Sequence, residues 1–104
     1  MISTEQINQL VEDEYKRASE KFGKKFNSSH EAYAVILEEF EEASHESDMF
    51  EKGIGQYWNN VKSNDSIQKV WLVVTQDCAK KAIAEWIQVA AMCHKASLTL
   101  QGNE

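Results

Sequence analysis

The residues richest in chemistry lie in EEFEEASHE, residues 38 to 46. At about 100° per residue, a helix brings Glu38, Glu39, Glu42 and Glu46 into one arc. No Lys or Arg occurs between Lys25 and Lys52, so this arc lacks the alternating charge of an ordinary solvated helix face. Like charges at such spacings cost about 0.2 to 0.5 kcal/mol per neighbour, which a cation among them would relieve. A second acidic position stands in AIAEWIQVAAMC, residues 82 to 93, a segment apolar on nearly every side that nevertheless carries Glu85 and Gln88 one turn apart. An unpartnered carboxylate on such a helix is costly or takes up a proton, so the fold has to answer Glu85. On a helical wheel Lys81, Glu85, Gln88 and Met92 share one face, and Ile83, Trp86, Ile87 and Ala90 lie on the other. Ala84 and Ala91 flank the polar face and leave room for a neighbouring helix or a ligand. If that neighbour is the helix of Glu38, Glu39 and Glu42, three or four carboxylate oxygens and the Gln88 amide oxygen surround a point. Hard divalent cations such as magnesium take all-oxygen sites of this kind and complete their shell with water and substrate phosphate. The plainer alternative pairs Glu85 with Lys81 on a solvated edge.

The elements that must position these groups are helices, because the chain has no proline and only four glycines. The first is expected from Thr4 to Phe22, opened by a capping box of Ser3 and Gln6 and closed near Gly23 in a lysine-rich turn. The second starts after Ser28, which with Glu31 forms another capping-box pattern, and runs to about Ser47 with Tyr33, Ile36, Leu37 and Phe40 as its apolar stripe. A third is expected from Met49 to Lys62, weakened at its start by Gly53 and Gly55. KSNDS makes a turn, with Asn64 or Asp65 able to cap the next helix. The fourth spans Ser66 to about Leu98, either as one long helix or as two pieces joined near Val74 and Thr75. VWLVVT alone has β preference, but no second strand is available to pair with it. The expected fold is an all-α, four-helix-type bundle in a single domain covering residues 1–104.

Composition narrows the function classes. A net charge of −6 with a single arginine, Arg17, argues against nucleic acid as a partner. No apolar run approaches the roughly 18 residues of a membrane span, and the polar, acidic start does not resemble a signal peptide, so a cytoplasmic location is expected. Cys78 and Cys93 have no metal-site or disulfide spacing and read as buried free thiols. Ten aromatic residues in so short a bundle leave apolar surface to cover, which favours a homo-oligomer.

Two motifs carry a resemblance. E-E-x-x-E at Glu38, Glu39 and Glu42, followed by a lysine four residues before E-x-x-Q at Lys81, Glu85 and Gln88, resembles the MazG-like all-α nucleoside triphosphate pyrophosphohydrolase superfamily, which includes the dimeric dUTPases. HEAYAVILEEFEEA and EWIQVAAMCHKA look like short phage and prophage members, and the likeness covers about residues 28–96. It implies a dimeric or tetrameric helical bundle that binds magnesium and cleaves a nucleotide between its α and β phosphates. Carried over by residue, Glu39, Glu42, Glu85 and Gln88 would hold the metal, Glu38 would orient or deprotonate the attacking water, and Lys81 would sit near the phosphates. Gln88 stands where the family carries aspartate, and the span from Glu42 to Glu85 is long for it. The rival expectations are a nucleotide- or metal-binding protein of the same fold without turnover, and a small acidic phage interaction protein that meets a basic partner.

Overall fold

The described residues form three helices: α1 (Thr4–Phe22), α2 (Ser29–Lys62) and α3 (Gln68–Gln101). A computed structural model describes residues 1–101 of the protein. Helix α1 begins with both halves of its capping box, Ser3 Oγ accepting from the Gln6 amide and Gln6 Oε1 accepting from the Ser3 amide. It ends at Gly23, whose φ of 91° few side chains tolerate. At α2 only half of the expected box forms. Ser28 Oγ accepts from the Glu31 amide at 3.1 Å, while the Glu31 carboxylate turns to Asn27, accepting from its backbone and side-chain nitrogens.

The break expected near Ser47 is absent, so the second and third expected helices are a single one of 34 residues. Gly53 explains the difference. It is buried against α3 so closely that a Cβ there would lie 2.6 Å from Thr75 Oγ1. The glycine admits a neighbouring helix instead of ending its own. VWLVVT is helical throughout, and α3 has no joint at Val74 and Thr75. Thr75 Oγ1 donates to the Trp71 carbonyl at 2.6 Å, which satisfies this buried hydroxyl within its own helix. The α2–α3 turn is made by Asn64 at φ 53° and by Asp65, whose carboxylate accepts from the Ile67 amide.

Helices α2 and α3 form a long antiparallel hairpin, each about 51 Å by helical rise. This length sets the 61 Å long axis of the molecule. Helix α1 packs on α3 and not on α2. The phenol of Tyr15 donates to the Lys24 carbonyl and its ring meets His94 edge-on at 4.9 Å. The Phe26 amide donates to Thr99 Oγ1 at 2.9 Å, tying the α1–α2 loop to the end of α3.

Polar and apolar groups are distributed unexpectedly. Among the described residues the buried ones are mostly small or polar, namely alanines 18, 32, 43 and 91 and Gly53 with Thr75, Lys95 and Thr99, alongside Phe26. The expected core stripe of α2 is covered only in part, with Ile36 half-buried, Tyr33 68% exposed and Phe40 45% exposed though its ring meets Trp86 of α3 edge-on at 5.9 Å, while Glu39 on the acidic arc is half-buried. Ile83 and Trp86 of α3 are exposed too, as are Ile7 and Leu10 of α1. The accessible surface is 7550 Å², against roughly 6,000 Å² for a compact monomer of this mass. Cys93 is exposed and Cys78 half-buried, so neither is the sealed thiol expected from sequence. No described helix is long and apolar enough to cross a membrane.

Candidate functional site: a carboxylate cluster between two helices

Glu39 and Glu42 stand one turn apart on α2, and the antiparallel register of α3 sets Glu85 opposite them. One carboxylate oxygen from each of the three lies within 4.8 Å of the others. Ala43 on α2 and Ala91 on α3 have no exposed surface. Glu39 Oε2 and Glu85 Oε2 are buried and accept no hydrogen bond. Buried oxygens without donors are costly, so the arrangement calls for a proton or a cation.

The electrostatics agree with the geometry. Burial, and then the charges of Glu42, Glu85 and Glu38, push the Glu39 carboxyl up to about 7. Burial likewise raises Glu85, with Glu42 and Glu46 adding to it. None of the ion pairs among the described residues reaches the three glutamates. In particular, Glu85 does not pair with Lys81. The Lys81 ammonium is bound to Asp77 at 3.1 Å on the exposed side of α3, with Glu46 also within range of its charge.

An open cleft of about 420 Å³ continues from the cluster along α2, lined by Glu38, Glu41, Glu42, His45, Glu46 and Glu85. Glu38 is exposed and stands between this cleft and a second pocket. That pocket, of about 490 Å³, lies between the three helices, with Phe22, Phe26, Val35 and Met92 among its walls and Glu38 and Glu39 at one side. Gln88 belongs to it. The Gln88 amide nitrogen donates to Glu14 Oε1 at 3.3 Å, and Glu14 is also held by the Arg17 guanidinium. Of the residues singled out in the sequence, Glu39, Glu42 and Glu85 therefore converge, Glu38 borders them, Gln88 is engaged toward α1, and Lys81 is paired nearby.

Glu46 also faces the cleft, as its place on the helical arc had signalled. Glu14 and Lys95 were missed, because their relation to the site depends on packing between helices distant in sequence. Trp58 is 57% exposed beneath the Lys62 ammonium. It lies about 24 Å along α2 from Glu42 by helical rise, so it is remote from the cluster. Compared with known protein families, with curated proteins and with solved structures, the chain matches none.

Proposed function

We propose that the protein is a magnesium-dependent nucleotide pyrophosphohydrolase-like protein acting on a nucleoside triphosphate to give the monophosphate and pyrophosphate. The observation that carries this reading is the convergence of Glu39, Glu42 and Glu85 from two helices, with two buried oxygens that accept no hydrogen bond and no basic partner among the described residues. An all-carboxylate donor set suits magnesium, and Glu39, Glu42 and Glu85 are the residues that would hold it. When bound, the metal supplies positive charge that neutralises phosphate oxygens.

The chain's own groups then have definable tasks. Glu38, exposed beside the cluster, accepts a proton from water as the water oxygen bonds to the α-phosphorus. The bond from that phosphorus to the bridging oxygen breaks, and pyrophosphate leaves with the electron pair. Lys81 can exchange its solvated Asp77 partner for a phosphate oxygen, since exposed pairs hold weakly. The part-exposed apolar stripes of α2 and α3 support assembly of copies as a dimer or tetramer, which would bury Phe40, Ile83 and Trp86.

One observation favours a second reading, in which nucleotide and metal bind without turnover. Gln88 is neutral and its amide is committed to Glu14, so it adds little to charge neutralisation at the cluster. Calorimetry with magnesium and a panel of nucleotides, together with product analysis, tests both readings. Magnesium affinity is expected to disappear in Glu39→Gln and Glu85→Gln, along with pyrophosphate release. Binding without product would establish the second reading, and the absence of any magnesium affinity in the parent protein would reject both.

A further inference from the structure

Beside the carboxylate cluster the side chain of Lys95 is enclosed in the wall of a pocket. Lys95 is only 4% exposed, yet it takes part in none of the ion pairs among the described residues. Its ammonium lies 4.4 Å from the centroid of the Phe26 ring. Phe26 is fixed in turn by the hydrogen bond its backbone N–H donates to Thr99 Oγ1, and that hydroxyl donates to the Lys95 carbonyl at 2.8 Å. The ring face gives this ammonium a cation–π contact but no acceptor for its three N–H donors, which are left for whatever fills the pocket beside them.

Lys95 lines the 490 Å³ pocket, whose size is that of a small-ligand site. The walls limit what can enter. Phe22, Val35 and Met92 favour a flat apolar body, Glu31, Glu38 and Glu39 disfavour an anionic one, and Arg17 on the same wall is already held by Glu14. A hydrocarbon would leave the ammonium without an acceptor. A planar ring bearing a neutral carbonyl oxygen meets both requirements. Keto bases present such an acceptor at the position where amino bases present a donor.

We propose that this pocket receives the base of the nucleotide and that Lys95 selects keto bases over amino bases by donating to the ring carbonyl that stands where an amino base carries its exocyclic amine. The proposal rests on the nucleotide reading of the adjoining glutamates, with which the pocket shares Glu38 and Glu39. Lys95 is then a specificity residue, distinct from the groups that meet the phosphates.

Neutral nucleosides, with neither phosphate nor magnesium, separate the two. The chain has three methionines, of which Met92 lines the pocket while Met1 and Met49 do not. Methyl-labelled methionine therefore gives an NMR reporter with internal controls. Inosine against adenosine, and uridine against cytidine, compare carbonyl with amine on rings of equal size. In at least one pair the Met92 methyl is expected to shift saturably, with the keto nucleoside bound about tenfold more tightly. Lys95→Met should abolish the preference, and Glu85→Gln should preserve it. Failure of every nucleoside to move Met92, or equal affinity within both pairs in the parent protein, overturns the proposal even if Lys95→Met does not fold. Pyrophosphate release without a Met92 response would sink this inference alone. A Met92 preference without magnesium-dependent release would sink the hydrolase reading alone.

Discussion

Replacing Glu39 with glutamine should make the metal-free protein more stable. In the folded chain this carboxyl is raised to about 7 from an ordinary 4.5. The native state therefore keeps a proton that the unfolded chain gives up, and stability falls as pH rises from about 4.5 to about 7. The penalty is complete above that window and absent below it. The full shift sets a ceiling of roughly 3 kcal/mol, which solvent at the rim of this half-buried side chain reduces to about 1–2 kcal/mol. Glutamine retains the shape and removes the charge. Glu39→Gln should then melt about 4–16 °C above the parent near pH 8 in chelator, and close to it near pH 4.5. Magnesium should reverse the order by stabilising only the parent, by about 2.7 kcal/mol at a hundred times its dissociation constant. Thermal melts followed by circular dichroism at fixed protein concentration measure all three. A parent melting temperature that is flat from about pH 5 to 8, or a variant no more stable above it, would refute the convergence of the three carboxylates.

Three further outcomes are expected from the fold. Gly53→Ala should destabilise by about 1–3 kcal/mol, since its Cβ would meet a Thr75 hydroxyl already bonded to Trp71, whereas Gly55→Ala, with open space around it, should stabilise by about 0.5–1 kcal/mol. Equal effects in denaturant titrations would contradict the close approach of α2 and α3. The parent should sediment as a dimer or larger species, and Ile83→Glu or Phe40→Glu should reduce it to monomer or unfold it, because both positions are exposed in the single chain. A monomeric parent at micromolar concentration would remove the assembly. Lys81→Met should leave the melting temperature unchanged, given its exposed pairing with Asp77, while lowering pyrophosphate release. A loss of stability equal to the loss of activity would mean that the lysine serves only the fold.

The helices themselves were legible in the residues. Ser3 and Gln6 form the cap they announce, Gly23 ends α1, and the lack of proline leaves α2 and α3 uninterrupted, because helical hydrogen bonds close within four residues. The same local geometry put Glu39 and Glu42 on one arc. Other matters depended on the register between helices. Whether Gly53 would break a helix or admit one was settled by Thr75, 22 positions away. Glu85 meets Glu39 from 46 positions away, Gln88 turns to Glu14, and Lys95 is enclosed by Phe26 from the loop. Local pattern also left the division of α2 incomplete: Glu39 of the acidic arc is half-buried toward Glu85, whereas in the apolar stripe Ile36 is half-buried, Phe40 meets Trp86 of α3 edge-on, and Tyr33 and Leu37 are exposed. Amphipathicity specifies which residues share a face, whereas the partner each face meets is decided by packing among all the helices present.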